Sequence, residues 1–144
     1  MVYDPNYRPR LTDARAARSA LERVAPHAAL MTPSCPDDTR ALLGTDDPVV
    51  AAARVRDLGA AAVAVTMGAR GLYVDAARLG PLELPAAPAP AVVDATGAGD
   101  VLAGTAAAHL ARGDDLVNAL RRATTAAANS LAAPGGTGWV PAAA

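Results

Sequence analysis

Residues 92–100 read Val-Val-Asp-Ala-Thr-Gly-Ala-Gly-Asp, and the interpretation of the whole chain starts from this stretch. Two β-branched residues, Val92-Val93, come before two glycines, and an apolar run follows. The pattern predicts a short strand, a turn, and then a helix over about 98–112. Glycine has no Cβ atom, so Gly97 and Gly99 let a ligand approach the backbone closely where this helix begins.

The turn also carries the elements of an anion-binding site. The backbone N–H groups of Gly97, Ala98 and Gly99 fall at the predicted helix N-terminus, where free amides and the helix dipole favour a negative charge. Asp100 adds a carboxylate on the first turn, placed to accept a proton from a hydroxyl. Such a combination is what phosphoryl transfer to an alcohol requires. The alternative is a structural turn in which Asp100 only stabilises the helix dipole.

Two other glycine motifs do not match this stretch. A dinucleotide-binding fingerprint needs its third glycine earlier than Gly104. A P-loop needs a Gly-Lys-Ser/Thr sequence, and the chain contains no lysine. Neither nucleotide-binding motif is therefore predicted.

The rest of the chain alternates between predicted strands and predicted helices. Strands are predicted at 2–4, 28–31, 61–66, 72–74 and 82–84, and helices at 13–25, 49–58 and 115–132, with a short helix that ends at Gly44. This order predicts an α/β fold with a largely parallel sheet. The sequence shows no internal repeat and no linker rich enough to divide the chain.

Composition excludes several classes of protein. The chain has 144 residues, the length of one ordinary domain, and a net charge of −1, which gives no electrostatic reason to expect nucleic acid or anionic lipid as a partner. It has no apolar run long enough to span a membrane, and Cys35 is alone, so no internal disulfide forms. A soluble cytoplasmic protein is expected. Alanine accounts for 39 residues, and Leu, Val, Ile and Phe together for 28, so we expect a core of Ala, Val and Leu.

The stretch Asp94–Asp100 resembles the C-terminal signature of the PfkB/ribokinase family of carbohydrate kinases. The likeness continues, in the family's order, at Val65–Gly71, Ala126–Ser130 and Pro134–Pro141. Near the start, Asp4–Leu11 is similar to a segment typical of 2-keto-3-deoxygluconate kinases and fructokinases. The resemblance therefore covers the whole chain.

The resemblance implies a ribokinase-like, three-layer α/β/α fold with a largely parallel sheet. Family members are roughly twice as long as this chain, as expected for a sugar-binding domain with a lid. Residues 1–144 are thus expected to be the C-terminal, nucleotide-binding part of a PfkB-type kinase domain, without the N-terminal half that supplies most sugar contacts and the lid. We expect such a part to associate with itself or with an N-terminal half.

The resemblance also implies an activity, the ATP-dependent phosphorylation of a hydroxyl on a sugar or sugar acid, with ATP and Mg²⁺ as cofactors. Asp100 would be the catalytic base and would contact the substrate, and the amides of Gly97, Ala98 and Gly99 would form the anion hole. The remaining implied contacts with the nucleotide are Thr66, Gly68, Gly71 and Asn129, and those with the substrate are Asn6 and Arg8.

The other implied roles concern charge. Asp94 and Thr96 match positions that in some relatives help to hold a monovalent cation such as K⁺. Asp38 is the candidate for an acidic residue that organises magnesium-linked water, although the family has glutamate there and the spacing differs by one residue. Arg8 would form a bidentate pair with a sugar-acid carboxylate; the alternative is a solvated loop arginine.

Two different functions remain open at this point. One is a non-catalytic remnant of such a kinase that serves as a nucleotide-binding module, and the other is a nucleoside kinase of the same superfamily. His109 and Cys35 are not expected to be catalytic, because no partner motif accompanies either residue.

Overall fold

A computed structural model describes residues 1–137, and they form two compact units, Met1–Pro85 and a second that begins at Ala86. The boundary falls beside a proline-rich stretch in which Pro88 and Pro90 have no N–H group to donate to a sheet. This division is not predicted from the sequence. No strand or helix crosses the boundary, since β5 ends at Leu84 and the next helix begins at Ala98.

The first unit contains a five-stranded sheet whose spatial order follows the chain: β1 Val2–Tyr3, β2 Leu30–Met31, β3 Ala62–Thr66, β4 Leu72–Ala76 and β5 Leu82–Leu84. Strands β1, β2 and β3 are parallel, and Met31 pairs with Val63. Strands β4 and β5 continue the sheet in antiparallel fashion. A parallel crossover needs about a dozen residues or more, and only five separate Thr66 from Leu72, so the parallel arrangement gives way to hairpins there.

Helices form the long connections between the parallel strands. Helix α1 is Ala14–Val24 and helix α2 is Pro48–Asp57, as predicted to within one or two residues. Asp13 caps α1 by accepting the Ala16 amide at 2.8 Å, and Asp47 caps α2 by accepting the Val49 amide at 2.8 Å. The predicted short helix is a π-helical turn at Thr39–Leu43, closed by Gly44 at φ +67°.

The core of the first unit lies between the sheet and these helices. Small residues allow close approach: Ala51 and Ala52 of α2 have no exposed surface. The larger members of the core are Leu21, Met31, Leu42, Val55, Val63 and Val65. The expectation of a core built mainly from Ala, Val and Leu is confirmed, with methionines filling further space.

As far as residue 137, the second unit consists mainly of two packed helices, α3 at Ala98–Ala111 and α4 at Leu116–Ser130. Leu102 and Ala106 are buried on α3, and Leu120 and Ala123 are buried on α4. Both helices were predicted from the sequence, with ends one or two residues further along the chain.

The predicted strand at Val92-Val93 is wrong. The two side chains are 76% and 61% exposed, and the backbone is irregular. The Val93 amide donates to the Leu131 carbonyl at 2.7 Å, beyond the end of α4, and this bond takes the place of pairing with a strand. Apolar β-branched residues therefore mislead here, because tertiary context decides strand formation.

Within residues 1–137, no helix has the length and apolar character needed to cross a bilayer.

Candidate functional site

In the first unit, the residues singled out from the sequence follow the carboxyl ends of three parallel strands. The loop after β1 carries Asn6 and Arg8, the loop after β2 carries Asp38, and β3 ends at Thr66. Ligands of open α/β sheets bind at this end, because the loops converge there. The structure thus places Asn6 and Thr66, which are 60 residues apart in the sequence, at the same edge of the sheet.

The loop after β1 is shaped by its own side chains. The Asn6 amide donates to Asp4 Oδ1 at 3.1 Å, and Asn6 adopts a left-handed conformation at φ +41°. Arg8 is exposed and donates through Nη1 to the Tyr7 carbonyl at 3.1 Å. Asn6 and Arg8 both line a shallow cavity of about 280 Å³ beside α1. Tyr3 lines the same cavity.

Asp38 has a different environment from the one expected of a metal-linked residue. It is 1% exposed, and its Oδ1 accepts the Tyr7 amide at 2.8 Å. Its Oδ2 accepts the Ser34 amide at 2.9 Å and the Ser34 hydroxyl at 2.8 Å. Asp38 is therefore an anchor between the loops after β1 and β2, and the geometry favours this structural role over a link to magnesium.

The turn after β3 is a single 3₁₀ turn at Gly68–Arg70. Gly68, at φ +59°, is exposed and has open space where a Cβ would point, so a ligand has access to its backbone. Gly71 is buried, and its carbonyl accepts the Met67 amide at 2.8 Å. Thr66 is half-buried and is tied to the loop after β2, since its carbonyl accepts the Cys35 amide at 2.8 Å.

Thr32, which follows β2, was not singled out from the sequence. It is 2% exposed, and its hydroxyl has no hydrogen-bond partner among residues 1–137. An unpaired buried hydroxyl is unusual, and only the fold reveals it, because threonine at the end of a strand is ordinary.

In the second unit, Gly97 starts α3 in a left-handed conformation at φ +81°. The amide of Ala98 donates to the Ala95 carbonyl at 3.2 Å, whereas those of Gly97, Gly99 and Asp100 have no acceptor in the described part of the chain. The predicted anion hole therefore keeps two available donors, the amides of Gly97 and Gly99, because the Ala98 amide is already bonded. The amide of Asp100 is a further available donor. A Cβ at Gly97 would lie 3.0 Å from Gly136 Cα, so glycine is required.

Asp94 is the first residue of the signature loop, Asp94–Asp100, and its side chain holds this loop in place. Its Oδ1 accepts the Thr96 amide at 2.8 Å, and its Oδ2 accepts the Gly135 amide at 2.9 Å. The Thr96 amide, then the Thr96 hydroxyl, then the Gly135 amide hold the pKa of the Asp94 carboxyl below its ordinary value.

This donor set bears on the monovalent cation implied for Asp94 and Thr96. A hard cation needs oxygen atoms turned toward it, and here both Asp94 carboxylate oxygens are turned toward N–H groups. The geometry therefore favours an Asp94 carboxylate held by protein donors over a ligand to potassium. In the described residues, no group of three or more His, Cys, Asp or Glu side chains is arranged to hold a metal ion.

Asp100 lies in the first turn of α3 with its side chain exposed. Asn129 is exposed in the last turn of α4. The loop predicted at Pro134–Pro141 is described only as far as Thr137, so Gly138–Pro141 lie outside the described residues.

His109 and Cys35 have local partners that the sequence did not indicate. His109 Nδ1 lies 2.8 Å from Asp114 Oδ2, and Arg122 Nε lies 3.7 Å from the same oxygen, which fastens the turn between α3 and α4. Cys35 Sγ donates to the Asp46 carbonyl at 3.2 Å. These contacts join neighbouring parts of the chain within each unit.

Comparison with known proteins gives a family match and a set of relatives. The model of the pfkB family of carbohydrate kinases matches residues 1–143. A 2-dehydro-3-deoxygluconokinase of Thermoproteus tenax is 36% identical over 137 residues, which cover 88% of this chain and 39% of the relative.

Solved structures agree with the fold. An aminoimidazole riboside kinase from Salmonella enterica, solved with its riboside and an ATP analogue, has a TM-score of 0.85 at 27% identity and covers 97% of this chain and 48% of its own. A putative ribokinase II from E. coli, solved with ATP and Mg²⁺, has a TM-score of 0.79 at 28% identity, with coverage of 94% and 43%. The ribokinase-like α/β fold is confirmed, and the chain spans less than half the length of each of these relatives.

Proposed function

The chain belongs to the pfkB family of carbohydrate kinases, and we propose that it carries the nucleotide site and the catalytic base of an ATP-dependent kinase acting on a sugar or sugar acid. The observation that carries this proposal is the start of α3. There, the Gly97 and Gly99 amides are free of acceptors in residues 1–137, and the exposed Asp100 carboxylate lies in the same turn.

The chemistry of this turn suits phosphoryl transfer. A substrate hydroxyl oxygen bonds to the γ-phosphorus of ATP while the bond from that phosphorus to the β–γ bridging oxygen breaks and releases ADP. The Asp100 carboxylate accepts the hydroxyl proton. The Gly97 and Gly99 amides donate to the oxygens of the transferred group, with the dipole of α3 adding to their effect.

Mg²⁺ would reach the site together with the nucleotide. This ion is usually held by one or two carboxylates and by the substrate phosphates, which fits the lack of a dedicated acidic cluster in the described residues. When bound, it supplies positive charge to the phosphate oxygens. Thr66, Gly68, Gly71 and Asn129 are the proposed contacts with the nucleotide; the exposed glycine turn at Gly68 supports close approach of a ligand.

For the acceptor we propose a sugar acid of the ketodeoxygluconate type, bound in part by Asn6 and Arg8. The 36% identity with a 2-dehydro-3-deoxygluconokinase supports this choice. Arg8 donates one N–H to the Tyr7 carbonyl and keeps the rest of its guanidinium exposed at the cavity, where a carboxylate would find a bidentate partner. Fructose is the neutral alternative.

The test is a coupled ADP-release assay with Mg²⁺-ATP and a panel of ketodeoxygluconate, fructose, ribose and a nucleoside. Asp100→Asn should abolish sugar-dependent turnover. The matched control is Asp115→Asn, which removes the same charge from the helix cap of α4 and should leave turnover within about twofold. Unchanged turnover in Asp100→Asn would refute the role of this residue as base.

Arg8→Gln tests the choice of acceptor. It should raise KM for ketodeoxygluconate by at least about tenfold and leave KM for fructose nearly unchanged, because only the acid has a carboxylate to pair. Arg10→Gln is the control, an exposed arginine two positions along the same loop. Equal effects on both sugars would contradict carboxylate recognition.

The second candidate function is a nucleotide-binding module without activity of its own; the two glycine amides at the start of α3, free of acceptors in residues 1–137, suit nucleotide binding as well as catalysis. Calorimetric binding of Mg²⁺-ATP without turnover of any acceptor would favour this module. Turnover with the nucleoside alone would favour the nucleoside kinase.

A further inference from the structure

We propose that Asp94 is a positioning residue: its carboxylate ties the loop after α4 to the signature loop before α3, and it fixes the anion-binding amides through protein donors without a bound monovalent cation. What those amides bind rests on the proposed function. The tie itself is a property of the fold.

The first support is the geometry of the two hydrogen bonds. The Thr96 amide, two residues along the chain, donates to Oδ1 and forms a local turn. The Gly135 amide, 41 residues along the chain, donates to Oδ2. A single carboxylate therefore joins a local bond, which shapes the signature loop, to a long-range bond, which locates it.

Backbone contacts show that the loop after α4 packs along the signature loop. The amides of Val93 and Asp94 both donate to the Leu131 carbonyl, at 2.7 and 3.2 Å. Further along, Gly97 lies so close to Gly136 that a Cβ would come within 3.0 Å of its Cα. In the sequence, the bond from Gly135 to Asp94 lies between these two contacts. Its loss would therefore remove a hydrogen bond between the middle of the loop after α4 and the signature loop.

Electrostatics supports the same role. An anionic side chain beside an anion site is unfavourable unless its charge is offset. Here, the amides of Thr96 and Gly135 donate to Asp94, and together with the Thr96 hydroxyl they hold its pKa below the ordinary value. These donors supply the partial positive charge that a cation would otherwise bring.

Amide hydrogen exchange on the 144-residue chain tests the tie directly. Thr96 and Gly135 should exchange slowly in the wild-type chain. Asp94→Asn keeps an oxygen that can accept the Thr96 amide but loses the acceptor for Gly135, so exchange should speed up about tenfold at Gly135 alone. Asp94→Ala should speed it up at both positions, and Asp115→Asn at neither.

Exchange at buried helical residues, such as Ala123, reports whether each variant is folded. Should the variants unfold, the wild-type chain still decides the question: adding K⁺ should leave the chemical shifts of the Thr96 and Gly135 amides unchanged. Shifts that saturate with K⁺, or unchanged Gly135 exchange in a folded Asp94→Asn, would overturn the proposal.

Binding of Mg²⁺-ATP then tests positioning. The affinity of the wild-type chain for Mg²⁺-ATP should be the same within about twofold in a K⁺ buffer and in a tetramethylammonium buffer. Asp94→Asn should weaken this affinity about tenfold in both buffers. An affinity that K⁺ raises about tenfold would show that a cation orders the loop. If the wild-type chain binds no nucleotide, the proposed function fails, and hydrogen exchange still decides the tie.

Discussion

The buried carboxylate of Asp38 accepts the backbone amide of Tyr7 at 2.8 Å, across 31 residues of sequence. The same side chain accepts two bonds from Ser34, so a single residue joins the loops that follow β1 and β2. The loop that carries Asn6 and Arg8 therefore owes its position to a residue outside it.

Asp38→Ala should lower the free energy of unfolding by about 2–4 kcal/mol, because it leaves three donors of Tyr7 and Ser34 unpaired. Urea unfolding followed by circular dichroism measures the change. Asp37→Ala is the matched control, since Asp37 is exposed, and it should stay within about 0.5 kcal/mol. Equal stability of the two variants would mean that Asp38 is not the anchor.

Gly97→Ala should destabilise the chain by more than about 1 kcal/mol and weaken Mg²⁺-ATP binding. The position has φ +81°, and the added Cβ would lie 3.0 Å from Gly136 Cα. Gly104→Ala, inside α3 with open space around it, should instead stabilise by about 0.5–1 kcal/mol. Thermal melting of both variants gives the comparison, and opposite signs are the expected result.

Thr32→Val should leave stability unchanged or raise it by about 1 kcal/mol, because it removes a buried hydroxyl that has no partner among residues 1–137. Thr39→Val provides the contrast. The Thr39 hydroxyl donates to the Pro36 carbonyl at 3.3 Å, so its loss should cost about 1 kcal/mol. Chemical unfolding measures both, and a marked loss of stability in Thr32→Val would show that its hydroxyl is paired.

Stability should fall in alkaline solution, with Tyr3 as one cause. Burial first, and then the charges of Asp38 and Asp4, raise the Tyr3 pKa above 10.0 in the folded chain. Below pH 10 the phenol is neutral in both states. Above it the unfolded chain loses its proton first, so stability declines until the folded pKa is passed.

The measurement for Tyr3 is the urea midpoint between about pH 9 and pH 11. The urea midpoint of Tyr3→Phe should fall less steeply with pH than that of the wild-type chain. Part of the fall should remain, because burial also raises the pKa of Tyr73. A wild-type slope in Tyr3→Phe would contradict the contribution of Tyr3.

The elements that could be predicted from the sequence are those with strong local signals. Helix α2 begins at an Asp47-Pro48 pair, and β3 is a continuous apolar run that ends before glycine. The signature loop at the start of α3 was predicted for the same reason, since two glycines follow an aspartate and precede an apolar run.

Features that depend on distant partners could not be predicted. Val92-Val93 has the composition of a strand, but the Val93 amide bonds to the Leu131 carbonyl, which no local pattern reveals. Asp38 was interpreted by its spacing, whereas its role follows from Tyr7 and Ser34, which surround it only in the folded chain. The bond from Gly135 to Asp94 leaves no signal in the sequence, because a backbone amide is common to all residues except proline.

Because Gly97 and Gly136 approach each other closely, the two positions differ in the substitutions that they tolerate. A methyl group at Gly136 would meet Gly97 Cα and the Thr96 carbonyl at an ordinary 3.8 Å, whereas one at Gly97 would collide with backbone at 3.0 Å. A saturation-mutagenesis library should therefore recover alanine at position 136 and not at position 97. Side chains that become established at 136 would narrow the space further, so the order in which substitutions arise would determine which later ones this loop accepts.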